Sequence, residues 1–150
     1  ITCRDWSSDV CSSDLWSPNS HRLAFLSHRN QNSDILVYDA DTAELWTITD
    51  SQADDVAVRW SPDGSRLLFC NGSDDLWSIR VYDLTNGETR DLINVQTFNC
   101  NPGWSPDGRY VAFESNQDGN PELYLAAVDD AVFNRLTYAD GFDGQPAWGR

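Results

Sequence analysis

Trp16, Trp60, Trp104 and Trp148 are separated by 44 residues each time. A fixed period constrains a chain more than any single motif, because every unit must fold alike and bury its faces against its neighbours. The first three tryptophans open as WSPN, WSPDG and WSPDG. Nine residues after each comes Phe25, Phe69 or Phe113, and seven residues after each comes Leu23, Leu67 or Val111. An apolar segment ending in Asp follows: ILVYD at 35–39, IRVYD at 79–83 and YLAAVD at 124–129. A fourth segment closes each unit: ELWTIT at 44–49, TRDLI at 89–93 and NRLTY at 134–138.

Each unit reads as four short strands joined by turns. Ser-Pro-Asp-Gly is a turn with a mechanism. Pro62 or Pro106 fixes φ at the first corner, Asp bonds the backbone, and Gly64 or Gly108 accepts a positive φ. Asn19-Ser20 stands in the Asp-Gly place of the first unit, so a looser turn is expected there. No segment sustains a 3.6-residue apolar period, so no substantial helix is expected. Four strands per unit at a period of about 40–45 residues describe a propeller blade. The fold class is therefore all-β, an incomplete ring of four-stranded antiparallel blades. The expected divisions are blades at about 16–49, 55–93 and 98–138, with the first strand of a next blade at 144–148.

The N-terminal stretch breaks this pattern. Arg4 to Leu15 reads RDWSSDVCSSDL, and its last ten residues resemble a translated short-read sequencing adapter. Residues 1–15 are accordingly expected to be a non-native tail, with Cys3, Trp6 and Cys11 carrying no biology. They should not supply a well-packed first strand to blade one. No apolar run approaches the ~20 residues that a membrane helix needs.

The net charge is −14, and without residues 1–15, which carry Arg4, Asp5, Asp9 and Asp14, it is −12. Such a chain repels nucleic acid and anionic membrane, because it cannot neutralise phosphates. The charge is spread along the chain, which reads as a solvated surface. Cys70 and Cys100 have neither CxxC nor zinc spacing. The reading favoured for them is two free, partly buried thiols; a disulfide is possible, but the sequence does not support one.

Face-to-face blades bury both sides of their strands. Leu23, Phe25, Leu67, Phe69, Val111 and Phe113 should lie on one side, with Ala24, Leu26, Leu68 and Cys70 on the other. Trp16, Trp60, Trp104 and Trp148 read as structural, and Trp60 and Trp104 in particular as packing anchors, since a buried aromatic hides about 150–250 Å². Glu114 breaks the apolar pattern and should be paired with Arg or half exposed.

Catalytic chemistry is poorly provided for. Nucleophilic hydrolysis needs a nucleophile, a base and an orienting acid. An extended strand would hold His21 and His28 roughly 23 Å apart. The GxSxG elbow fails, because Gly103-Trp-Ser-Pro-Asp has Asp where the second Gly belongs. No phosphate loop or HExxH occurs. The adjacent pairs Asp54/Asp55, Asp74/Asp75 and Asp129/Asp130 would point to opposite faces of a strand. No cofactor and no metal are expected, and the Asn71-Gly72-Ser73 sequon reads as accidental.

WSPDG, the Phe-bearing strand and SNQDGNPELY at 115–124 resemble the TolB-type propeller repeat, over Trp16 to Trp148. The resemblance implies a larger ring, a non-enzymatic protein-binding role and a periplasmic or secreted location. The alternative is the gating propeller of a prolyl-oligopeptidase-type serine hydrolase whose catalytic domain is absent here. A propeller of the oligogalacturonate-lyase kind is a third reading, and it would want channel-facing His. Loops at 50–55, 94–98 and 139–144 should share one face with those at 28–33, 71–75 and 115–121. Loops on a rigid scaffold concentrate binding. The candidate partner-binding residues are Asp54, Asp55, Arg59, Asp74, Asp75, Asp118 and Asp143. Open blade edges should also lead the chain to self-associate.

Overall fold

A Ser-Pro-Asp-Gly segment closes on itself through local bonds. The Ser61 hydroxyl donates to the Asp63 carboxylate (2.6 Å) and accepts the Arg66 amide (2.9 Å). The Gly64 amide donates to the Ser61 carbonyl (2.9 Å), and Gly64 stands at φ +73°. That is the left-handed region, where a glycine carries no Cβ penalty. Ser105, Asp107, Gly108 and Tyr110 repeat every one of these bonds. The first unit repeats them too, with Ser17 donating to Asn19 (2.5 Å) and accepting the Arg22 amide (3.0 Å). The looser turn expected there is not observed. Its difference is strain, since Ser20 must adopt φ +60° with a side chain in place.

These turns set the first hairpin of each blade. The computed structural model describes residues 15–29, 31–73, 76–97, 100–130, 132–138, 141, 143, 144 and 146–148. The first sheet holds β1 (Leu15–Trp16), β2 (Arg22–Arg29), β3 (Asn32–Asp39) and β4 (Leu45–Thr47). The second holds β5 (Asp54–Trp60), β6 (Arg66–Ser73), β7 (Leu76–Asp83) and β8 (Glu88–Thr97). The third holds β9 (Gly103–Trp104), β10 (Tyr110–Ser115), β11 (Glu122–Ala127) and β12 (Phe133–Arg135). All three are four-stranded antiparallel sheets in sequence order, and no helix occurs among the described residues. The first strand pairs in one register throughout: Trp16↔Leu23, Trp60↔Leu67 and Trp104↔Val111. Leu15, counted with the N-terminal tail above, lies within β1.

The sheets stack as blades, and the core lies between them. Ala24, Ile35 and Val37 of the first sheet meet Val58, Leu67 and Phe69 of the second. Leu68, Ile79 and Val81 on the other face of that sheet meet Val111, Phe113 and Tyr124 of the third. Alternation along β6 thus buries both faces, as a blade between blades requires. Phe113, Tyr124 and Phe133 form an aromatic cluster with centroids 5.5–6.1 Å apart. Phe69 and Phe113 are fully buried, whereas Phe25 of the first blade is half-buried.

Three of the four repeated tryptophans also tie back to the preceding blade. Trp60 Nε1 donates to the Leu15 carbonyl (2.8 Å), Trp104 Nε1 to that of Arg59 (3.4 Å) and Trp148 Nε1 to that of Gly103 (3.2 Å). The turns nest likewise: a Cβ on Gly64 would sit 3.5 Å from Pro18 Cδ, and one on Gly108 would sit 3.6 Å from Pro62 Cδ. Trp104 is buried and Trp60 half-buried, but Trp16 is 54% exposed and Trp148 40%. Glu114 is buried on β10, which corrects the half-exposed alternative.

The two thiols are not free. Cys70 on β6 and Cys100, in the segment entering β9, form a disulfide with Cα atoms 6.1 Å apart. Blade two is thereby joined covalently to the segment that opens blade three.

Candidate functional site

The segments leading from one blade to the next lie at the same end of the stack as the β2–β3, β6–β7 and β10–β11 hairpins. In blades one and three this end is fixed by the same trio of side chains, 88 residues apart. Asn32 Nδ2 donates to Asp34 (3.3 Å) and to the carbonyls of Ser51 and Ala53, while the Thr49 hydroxyl accepts the Ile35 amide (2.8 Å). Asn120 Nδ2 donates to Glu122 (2.8 Å) and to the Gly141 carbonyl (3.0 Å), and the Thr137 hydroxyl accepts the Leu123 amide (3.0 Å). In both places an amide side chain grips the backbone of the outgoing loop. The corresponding positions of blade two are Leu76, Ser78 and Ile93, which cannot form the trio. There the Cys70–Cys100 disulfide holds the outgoing segment instead.

Blade three holds a charged group at this end. Glu122 is fully buried, and Arg135 and Thr137 both donate to its carboxylate. The Thr137 hydroxyl, then Asn120 and Arg135, hold the carboxyl below its usual range against the opposing effect of burial. Asp118 accepts the Tyr124 hydroxyl (2.6 Å) and pairs with Arg135 (3.4 Å). Burial, reinforced by Asp118, pushes the Tyr124 phenol up.

The junction of blades one and two holds a second acidic group. Asp54 accepts the Ser33 amide (2.8 Å), so this carboxylate fastens the β2–β3 hairpin. Asp55 is fully buried; Oδ1 accepts from Asn71 (2.8 Å), and Oδ2 has no hydrogen-bond partner among the described residues. Burial pushes its carboxyl up, against the hydrogen bond from Asn71, with nearby Asp34 adding to the rise and Arg80 opposing it. The strand beside it is irregular: the register shifts between Val56 and Arg59, and Ala57 stands at φ +55°.

The sequence-derived candidates therefore separate. Asp54, Asp55 and Asp118 are spent on internal bonds. Arg59 donates to its own Val58 carbonyl (2.9 Å) and to Asn101 (3.5 Å), on a different stretch of the stack from Asp118. Asp143 is half-buried, and its amide donates to the Pro121 carbonyl (3.2 Å). Asp74 and Asp75 lie outside the described residues. Sequence reasoning missed Asn32, Asn120, Glu122 and Arg135. The 88-residue recurrence of Asn-x-acid with a later Thr was the signal available for the first three.

The two histidines and Ser105 are also engaged. His21 pairs with Asp41 (2.7 Å) and His28 contacts the Ser33 hydroxyl (3.1 Å). The Ser105 hydroxyl is held in its turn by Asp107 (2.6 Å), and with Arg109 it lowers the Asp107 carboxyl to about 2. Among the described residues no group of three or more His, Cys, Asp or Glu is placed to hold a metal ion. No helix among them is long and apolar enough to cross a membrane. Two shallow clefts of about 330 and 520 Å³ lie at the opposite end, between blades two and three, and share Arg66.

The TolB beta propeller domain family matches residues 5–150. No curated protein sequence matches the chain. Among solved structures, TolB from Acinetobacter baumannii is similar at 25% identity and a TM-score of 0.71, over 85% of this chain and 32% of that one. A putative TolB from Agrobacterium tumefaciens gives 25% identity and 0.71, over 85% and 46%. The chain thus spans less than half the length of either. Dipeptidyl peptidase 4 from Porphyromonas gingivalis shares the fold at 11% identity, with a TM-score of 0.66 over 81% of this chain and 24% of that one.

Proposed function

The chain belongs to the TolB beta propeller domain family, and from that premise we propose that it is a non-catalytic scaffold that binds a protein partner through the loop end of its blades. The observation that carries this reading is the fixing of that end by Asn32, Asn120 and the Cys70–Cys100 bond. A surface whose loops are held before binding loses little entropy when a partner docks. The ionisable groups beneath it serve this purpose, because Asp54 holds the Ser33 amide while Asp118 and Glu122 share Arg135 and accept the Tyr124 and Thr137 hydroxyls.

The proposed location is the periplasm or another space outside the cytoplasm. Disulfides persist in oxidising compartments and are rare where thiols are kept reduced. The bond between Cys70 and Cys100 supports that placement, alongside the likeness to TolB structures.

The resemblance to TolB implies a lipoprotein of the cell envelope as partner, so the test is binding of the purified chain to the periplasmic domain of such a lipoprotein, read by biolayer interferometry. Asp50→Arg or Asp143→Arg, at the loop end, should weaken binding by about tenfold or more. Asn86→Arg, in the β7–β8 turn at the opposite end, should leave it unchanged. Equal loss in all three variants would contradict the loop-end assignment. Peptidase or esterase turnover abolished by Ser105→Ala would overturn the non-catalytic reading.

A further inference from the structure

Where blades one and two meet, oxygen atoms outnumber the donors that could satisfy them. Asp55 Oδ2 is buried without a hydrogen-bond partner among the described residues, on a side chain that is itself fully buried. Across the junction, on β3, Asp34 is also buried. Its Oδ1 shares the Asn32 amide nitrogen (3.3 Å) with the carbonyls of Ser51 and Ala53. Three acceptors thus converge on a group with two protons to give. The two carboxylates are near enough for the charge of Asp34 to reinforce the upward shift of the Asp55 carboxyl. Arg80 acts on Asp55 in the opposite sense, but its guanidinium is paired with Asp91 (2.7 Å).

Blade three neutralises the equivalent acid with a cation of its own. Glu122 stands 88 residues after Asp34, and Arg135 donates to its carboxylate. Arg135 lies opposite Tyr124 in the sheet as Thr47 lies opposite Leu36, so Thr47 takes the place of the arginine in blade one. A hydroxyl brings no charge. Buried carboxylates are held either by an ion pair or by a metal ion.

We propose that Asp34 and Asp55 bind a calcium ion at this junction, with the Ser51 and Ala53 carbonyls contributing to its shell. Every ligand in the set is an oxygen, which selects a hard cation. Two carboxylates match a double charge. They fall short of a three-acid cluster, so neutral oxygens must complete the shell. Each carbonyl has a second lone pair beside the one that Asn32 uses. The ligands come from two strands and a loop, an irregular set. Calcium accepts such sets, whereas magnesium demands a near-octahedral shell. The ion does in blade one what Arg135 does in blade three, and it fastens the segment that leads into blade two.

The experiment is calorimetric titration and thermal melting of the full chain, stripped of metal with a chelator and then given calcium chloride at constant ionic strength. Circular dichroism confirms that each variant is folded. Calcium should bind the parent chain and raise its melting temperature as the site fills. Magnesium at the same concentration should raise it less. Asp34→Asn and Asp55→Asn should each weaken calcium binding by about tenfold or more. Thr47→Arg places a guanidinium where blade three has one, so it should abolish the calcium-dependent shift and melt no lower than the calcium-free parent. Asp107→Asn, in a turn at the opposite end, should bind calcium as the parent does. A parent chain whose melting ignores calcium would overturn the proposal. So would a calcium shift retained in full by Asp55→Asn or by Thr47→Arg.

Discussion

Trp60 reaches back 45 residues to Leu15, its indole Nε1 donating to that carbonyl at 2.8 Å. The bond crosses from one blade to the next, so the side chain that packs the junction also satisfies the neighbour's backbone. Trp60→Phe keeps an aromatic ring and removes the donor, leaving the acceptor without its partner. The expected loss is about 1 kcal/mol. Trp104→Ala removes the buried ring itself, at a cost of about 3–5 kcal/mol. Urea denaturation of both variants checks the order.

The first turn should be improvable. Ser20 stands at φ +60°, where the other two units have Gly64 and Gly108 at φ +73° and +70°. Ser20→Gly should raise stability by about 0.5–1 kcal/mol, since relief of strain outweighs the added freedom of the unfolded chain. Gly64→Ala should lower it by about 1–2 kcal/mol. Thermal melting of the pair of variants gives both signs.

The fold was legible because the repeated positions carry its determinants. The tryptophans, the Pro-Asp-Gly corners and Phe69 and Phe113 recur at one period, and each serves the same junction in successive blades. The features that escaped do not recur in that way. Cys70 takes the place of Leu26 and Glu114, and Cys100 that of Val56 and Gly144. Only the stacking of blades brings those two sulfurs together. Composition cannot distinguish an acid facing solvent from one such as Asp54 that holds a hairpin. The acceptors of the Trp bonds are backbone carbonyls, which leave no mark in a sequence.

The disulfide should contribute substantially to stability. It spans 30 residues, a loop for which the chain-entropy account gives about 3–4 kcal/mol. Cys70→Ser/Cys100→Ser, or the parent chain under reductant, should melt markedly lower than the oxidised chain. Mass spectrometry of the alkylated protein checks that Cys70 and Cys100 are paired before reduction.

Stability should depend on pH through Asp55. Its folded carboxyl lies above the ordinary 3.8 because it is buried. Below that ordinary value both folded and unfolded forms are protonated, and the group has no effect. As pH rises through the raised folded value, the fold must carry a buried charge and loses stability. Asp55→Asn should therefore match the parent at low pH and exceed it increasingly towards neutrality. Asp107 acts in the opposite sense, since its carboxyl is lowered to about 2. Its contribution is present above 3.8 and is lost as pH falls towards 2. Denaturation of Asp55→Asn and Asp107→Asn across that range separates the two.

The central claim is that successive blades are tied into one body by their tryptophans. The most direct measurement is hydrogen exchange of the indole Nε1 protons by ¹⁵N-resolved NMR, assigned with single Trp→Phe variants. Trp60 and Trp104 should exchange slowly and Trp16, which is 54% exposed, rapidly. Indole protons of Trp60 and Trp104 that exchange as fast as that of Trp16 would contradict the account.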